Sequence, residues 1–529
     1  MRSATQLTDF PTRDPARSSE LAAPPVCPSL LAPGVPATTT AIERSLHDLH
    51  LDEVISAMAP GGFQQDVWHR PVTDVSVIEY RQDVVDDLRT PAIRRAAEHF
   101  EAAMSSARNS ITAKRAGHYP VPAELNLLEA IARFCTAVTG FAQALSEAHP
   151  KSAGLSGVCG HLRDYQAVSA FQDLARGSAD LLTELRGPAV ELGLQAGTVW
   201  VDVDSGRAGW AGEIAAFFSR FEMVDGARTV VPARPRRHLN HVEAQAIGLV
   251  AELRPETFAR VHRFAAVHED FLPADLERLG EELRFFLGFW KVADQLAAQG
   301  VEWCRPRVLV GTAGGRLSVE GVVDLALALR SRPGDPALVP NDLALSRGER
   351  IAFVTGPNQG GKTTFARAIA QLAYLASLGL PVPARTATLP LLNPVLTHFP
   401  QPDDPENQHG GLADEIARLH EVMVAATGSA LLVLNELFSA TSAEDALELS
   451  QVVVPEFTAV GCRVLWVTFL EDLVTSVPGA ASLVGQVAAD DPTRPTFRFR
   501  HQPPAGRSHA AALATRHGLS SEDLARRLG

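Results

Sequence analysis

The chain has 529 residues, 46% apolar and 21% charged, a globular composition whose length suggests about three domains at roughly 150 residues each. Its net charge of -13 has the wrong sign for a protein whose whole surface grips nucleic acid, because Lys and Arg at phosphates supply most non-specific affinity. Any DNA contact must then come from a local basic patch or from a partner. Charges interrupt the apolar stretches short of the ~20 residues of a membrane span, and the start lacks a basic segment followed by an apolar run, so neither an anchor nor a secretory signal is expected. Five scattered cysteines (Cys27, Cys135, Cys159, Cys304, Cys462) form no Cys-x-x-Cys pair. They fit a reduced, cytoplasmic protein and argue against a disulfide framework or a zinc site.

Residues 1–40 are rich in Pro, Ser, Thr and Ala without sustained periodicity, as in a disordered leader. From 41 to 304 the pattern is helical. Leu128, Ile131, Phe134, Val138, Phe141 and Leu145 recur at spacings of three and four, as do Leu276, Leu279, Leu283, Phe286 and Trp290. Between them, 198–204 and 226–231 are short breaks, readable as β pieces or loops. After Cys304 short apolar runs at 307–310, 351–354, 431–434 and 464–467 alternate with helical stretches. That alternation implies a mostly parallel sheet covered on both faces, with a boundary near residue 305.

Gly356-Pro357-Asn358-Gln359-Gly360-Gly361-Lys362-Thr363 satisfies G-x-x-x-x-G-K-[ST]. It lies between the apolar run 351–354 and a helical pattern over 363–378, the context the motif requires. Glycines let backbone N–H groups turn towards phosphates, and the helix N-terminus adds partial positive charge. Lys362 is placed to reach the β- and γ-phosphates of ATP, and the Thr363 hydroxyl to ligate Mg²⁺. Some seventy residues on, the apolar run 430–434 ends in Asn435-Glu436. An apolar strand closing on acidic groups is the form of a Walker B strand, in which an Asp holds the Mg²⁺ shell and a Glu activates water. Here the first position is Asn435, which brings no charge, so weaker Mg²⁺ affinity is expected. Glu436 remains available as general base.

The motif Gly-Pro-Asn-x-Gly-Gly-Lys-Thr-Thr over 356–364 is narrower than a generic phosphate loop and resembles the ATPase domain of the MutS DNA mismatch-repair family. Val339-Pro340-Asn341-Asp342 and 350–355 upstream, and Gly379-Leu380-Pro381-Val382-Pro383-Ala384 downstream, are similar to the same family. So are Ala440-Thr441-Ser442-Ala443-Glu444-Asp445-Ala446, which resemble the family's loop facing the partner subunit, and Gly506-Arg507-Ser508 with Leu513-Ala514 and Gly518-Leu519. The similarity is specific over about 305–520 and looser in the helical half, where 80–84 look like the start of the core and lever helices. It implies an α/β P-loop NTPase of the ABC/MutS type with a C-terminal helical dimerisation segment (305–529), preceded by a mainly α-helical core/lever domain (41–304). It further implies a homodimer through the ATPase domain, with ATP and Mg²⁺ as cofactors. Gly356, Pro357, Asn358, Gln359, Gly360, Gly361, Lys362, Thr363 and Thr364 would cradle the phosphates, with Asn358 shaping the γ-phosphate pocket. Thr363 and Asn435 would stand at the metal, and Glu436 and Lys362 would be catalytic.

Departures from the family pattern qualify this. No Phe-x-Glu pair of a mismatch-reading domain occurs in the first 300 residues, and that domain is expected to be missing. The Ser-Thr-Phe signature corresponds to Gly410-Gly411-Leu412, with Glu415 following at the expected distance. The switch His corresponds to Phe469. With Asn435, three polar positions have changed, so ATP binding is expected together with slow hydrolysis. The basic run 234–238 and the cations Arg108, Lys114, Arg115 and His118 are read as surface charge before DNA contacts. Phe285, Phe286, Phe289 and Trp290 are read as core, and Asp403, Asp404 and Glu406 as a solvated loop. The leading expectation is an ATP-binding MutS-like repair protein acting on structured or mismatched DNA. The alternative is an ATP-dependent switch acting on a protein partner. A transporter-type or chromosome-organising ATPase is disfavoured by the lack of a Leu-Ser-Gly-Gly-Gln signature and of a long heptad arm.

Overall fold

The computed structural model describes residues 26–32, 40–59, 65–117, 119–186, 190–195, 198–203, 241–311, 313–332, 334–400, 411–491 and 493–504. Most of the segment 1–40, residues 226–231 and 234–238, His118, Gly410, the acidic cluster at 403–406 and the C-terminal segment from 506 lie outside these. The chain divides into two compact units, one of residues 1–28, 106–142 and 157–275, the other of 29–105, 143–156 and 276–529.

In the first unit, apolar residues at helical spacing meet in a core of Leu128, Leu181, Leu185, Val250, Phe258 and Val261. The Phe134 ring lies edge-on to Tyr165, Phe171 and Phe271 at centroid distances of 6.4, 6.4 and 5.3 Å. Strands β1 (Val190–Gln195) and β2 (Thr198–Val203) form an antiparallel hairpin, so the first of the two breaks in the helical pattern is a β piece. The helix Pro120–Ala148 is, by length and composition, apolar enough to cross a membrane, though Glu129 and Arg133 interrupt its apolar run as expected. Its apolar stripe, from Leu127 through Ile131, Phe134 and Val138 to Leu145, is buried. Glu129 and Arg133 pair on its exposed side at 2.7 Å. That division of faces is the pattern of a core helix.

The second unit combines helices with two sheets. The helix Ala274–Ala297 buries Leu276, Leu279, Leu283, Phe285, Phe286, Phe289 and Trp290, which places the aromatic run in the core. Buried Arg81, on the helix Val75–Asp87, donates through Nε to the Leu31 carbonyl at 2.9 Å and through Nη1 to the Leu378 carbonyl at 3.1 Å. Its neighbour Glu282 accepts from the Leu30 amide at 2.6 Å.

Ten strands follow: β3 (Arg307–Leu309), β4 (Leu317–Val322), β5 (Asn341–Leu345), β6 (Ile351–Thr355), β7 (Thr386–Pro390), β8 (Val395–His398), β9 (Leu431–Asn435), β10 (Arg463–Val467), β11 (Ala481–Val487) and β12 (Pro495–His501). Six make a sheet in the order β12-β11-β6-β10-β9-β8, parallel except for β12. β6, β9 and β10 are buried at every residue, as parallel strands covered on both faces must be. One face packs Ile351, Phe353, Leu432 and Trp466 against Leu419 and Val422 of the helix Gly411–Ala425 and Phe457 of the helix Ala443–Val460. The helix Lys362–Ser377 also lies against β6, β8, β9 and β10. The other four strands form a mixed sheet, β3-β7-β4-β5, that strand–helix alternation did not announce.

The helix Lys362–Ser377 is buried along most of its length, because the helical segments of the same unit cover what the sheet does not. Arg367 Nε donates to the Asp48 carbonyl at 2.8 Å, Gln371 Nε2 to Leu49 at 2.9 Å and the Tyr374 hydroxyl to Trp68 at 2.6 Å. The Val72 amide donates to the Ser377 carbonyl at 2.8 Å.

Candidate functional site

The glycine-rich turn leaves β6 at Thr355 and enters the helix at Lys362. Gly356 has φ 132°, and a Cβ there would stand 3.0 Å from Gly485 of β11. Gly361 caps the helix at φ 83°. These two positions need glycine, one for close strand approach and one for backbone handedness. Gln359, between them, takes φ 60° despite its side chain.

Buried Lys362 folds its ammonium back over the turn. Nζ donates to the carbonyls of Gly356 and Pro357, both at 3.1 Å, and to Asn358 Oδ1 at 3.2 Å. Burial lowers its pKa, with the Glu436 carboxylate opposing the shift. The next residue reaches across the sheet, and Thr363 Oγ1 donates to Asn435 Oδ1 at 2.8 Å. The turn 356–364, Lys362, Thr363, Asn435 and Glu436 thus come together at the C-terminal ends of β6 and β9, the parallel strands on either side of β10. The oxygen pair of Thr363 and Asn435 has a geometry compatible with a small divalent cation, but lacks the carboxylate charge such a cation favours.

Glu436 begins a turn in which it and Phe438 take φ 51° and 62°. The Glu436 amide donates to the Val467 carbonyl at 2.8 Å. Of the three signature-like residues, Gly411 starts a helix and Leu412 packs partly against the core. Phe469 stands 49% exposed just past β10. Lys114 pairs with Glu269 at 3.8 Å and Arg115 with Asp270 at 2.6 Å, so these two cations already face carboxylates.

Sequence reasoning did not assign the roles of three participants. Asn341 of β5 ties the two sheets, donating to the Phe497 carbonyl and accepting from the Phe499 amide, both at 2.9 Å. Phe497, held at φ 58° and 46% exposed, lies against Gly361, with its Cδ1 3.2 Å from where a Cβ would sit. Glu415 accepts from the Phe438 amide at 2.6 Å. The Asn341-Asp342 pair after a proline was a visible signal for the first, and the distance from Gly410-Gly411-Leu412 placed Glu415 without a role; nothing local marks Phe497.

A strand, a glycine-rich turn with two left-handed or near-mirror glycines, and a buried helix opening on lysine define an α/β domain whose helix N-terminus faces the loop. Residues 352–508 match the family model of MutS domain V. A DNA mismatch repair protein MutS of Sorangium cellulosum is 31% identical over 300 residues, covering 54% of this chain and 30% of that protein. One of Haloquadratum walsbyi is 28% identical over 269 residues, covering 50% and 27%. One of Erythrobacter litoralis is 32% identical over 182 residues, covering 34% and 20%. The chain therefore spans less than a third of the length of these curated relatives.

Proposed function

We propose that this chain is an ATP-binding MutS-family protein of DNA mismatch repair, a P-loop NTPase that couples nucleotide occupancy to contact with structured or mismatched DNA and turns ATP over slowly. The observation that carries the reading is the convergence of Lys362, Thr363, Asn435 and Glu436 on one glycine-rich turn inside a MutS domain V. In it, the backbone N–H groups of 356–364 and the helix N-terminus receive the phosphates. Lys362 exchanges its three loop oxygens for phosphate oxygens, and Glu436 orients and deprotonates the attacking water. Mg²⁺ held at Thr363 and Asn435 would offset phosphate charge, less tightly than at an aspartate. The exposed Phe497 ring offers a flat apolar face beside the loop. Dimerisation through the ATPase domain belongs to the same reading. The mismatch-repair names of the relatives support this function over a switch acting on a protein partner.

The test is calorimetric titration of ATP into the chain and into Lys362→Ala, beside binding to duplex, mismatched and four-way-junction DNA with and without ATP-Mg²⁺ at two salt concentrations. The expected result is loss of ATP binding in the variant and a salt-sensitive, ATP-modulated preference for non-duplex DNA in the wild type. Wild-type ATP affinity in Lys362→Ala would refute the phosphate-loop assignment. Absence of binding to every DNA would refute the DNA part alone.

A further inference from the structure

The helix Gly411–Ala425 meets the Glu436 turn at one buried hydrogen bond. Left-handed backbone is disfavoured for any residue with a side chain, and it persists where the surroundings over-determine it. Glu436 and Phe438 both adopt it, with one residue between them. Three contacts hold them. The Glu436 amide is bound to the Val467 carbonyl, the Phe438 ring is buried in the core, and the Phe438 amide donates to Glu415 Oε1 at 2.6 Å. Glu415 is itself 4% exposed, so this bond is made away from water, where losing the acceptor leaves an orphaned amide. The Glu415 carbonyl also lies 3.1 Å from His398 Nε2 at the end of β8. Residue 415 therefore joins β8, the helix and the turn that carries Glu436.

We propose that Glu415 is a positioning residue of this site: its buried carboxylate pins the left-handed turn after β9, fixes the placement of Glu436 beside Lys362, and transmits displacement of the helix Gly411–Ala425 to the general base. The inference rests on the reading of Glu436 as that base. Glu415 touches no reacting group; it acts through the backbone of residue 438. Because the turn needs an acceptor and not a charge, glutamine serves where alanine does not.

The experiment compares the full chain with Glu415→Ala and Glu415→Gln by three readouts: ATP affinity, single-turnover hydrolysis of bound ATP, and hydrogen exchange of the amides 436–439. In Glu415→Ala, ATP affinity is expected to stay within about twofold of wild type, since no phosphate contact is lost. Hydrolysis is expected to fall by about tenfold to a hundredfold, the usual consequence of a slightly misplaced catalytic group, and the Phe438 amide to exchange faster. Glu415→Gln is expected to restore both rate and protection. Should the alanine variant fail to fold, Glu415→Asp, shorter by one methylene, carries the same comparison. Wild-type turnover and exchange in the shortened variant, or a glutamine variant as slow as alanine, would overturn the proposal. ATP binding without any wild-type turnover would instead overturn the role of Glu436, and amide exchange alone would then decide that of Glu415.

Discussion

His398 closes strand β8 with 3% of its surface exposed. Nε2 lies 3.1 Å from the Glu415 carbonyl, so the neutral ring carries its proton there, and Nδ1 is buried without a hydrogen-bond partner among the described residues. Burial lowers its pKa to about 4 from 6.5; the bond to Glu415 opposes the shift and the charges of Arg418 and Arg44 add to it. The unfolded chain thus takes up this proton more readily than the folded one. Stability from this group is complete above pH 6.5, is lost as the pH falls from there, and levels off below about 4. The difference between about 4 and 6.5 corresponds to about 3 kcal/mol. Asp48 and Glu415, both raised by burial, contribute with the opposite sign in the acid range, so the informative quantity is a difference between two proteins. Urea unfolding of wild type and His398→Gln, followed by circular dichroism and fluorescence between about pH 7.5 and pH 4, should show the wild-type advantage shrinking by about 3 kcal/mol. Parallel pH profiles for the two proteins would refute the reasoning, because the buried neutral imidazole would then make no pH-dependent contribution.

Two further substitutions probe the frame and the site. Arg81→Met keeps an unbranched apolar stem but removes the donors to the Leu31 and Leu378 carbonyls. Unfolding should become easier by about 2–5 kcal/mol, the cost of orphaning two buried acceptors; a change below about 1 kcal/mol in urea denaturation would mean that water replaces the guanidinium. Asn435→Asp retains an acceptor for Thr363 at the same place and adds a negative charge. ATP turnover should rise and its Mg²⁺ requirement shift to lower concentration in a metal titration, whereas unchanged behaviour would assign the metal to another group.

Much of the candidate site was legible because its parts are local or strongly patterned. The loop 356–363 is contiguous, and its flanking strand and helix follow from burial on both faces of β6 and from the helical spacing after Lys362. The run ending at Asn435 could be matched to the loop because parallel strands bring their C-terminal ends to one edge. The pairing of Asn341 with the backbone at 497 and 499 spans over 150 residues and leaves no periodic trace. The same is true of Arg81, which looks like an ordinary surface cation on a helix until Leu31 and Leu378 close over it. Glu415 could be noticed by position but not by role, since its partner is a backbone amide and any residue supplies one.

The helix Lys362–Ser377 is gripped at both ends, by the glycine turn at one and by carbonyls and amides of residues 48, 49, 68 and 72 at the other. Sixteen residues make a rod of about 24 Å whose side chains advance by about 100° per residue. Its length is therefore phase-locked: one residue more or less would swing Arg367, Gln371 and Tyr374 off their partners together, as a key cut one notch out misses every pin. Only a change of about two full turns would return those side chains nearly to register, and it would displace the two ends by about 10 Å. An insertion or deletion here disrupts these contacts together where a substitution disrupts one, and the spacing between Lys362 and Ser377 is as much a part of the site as the lysine.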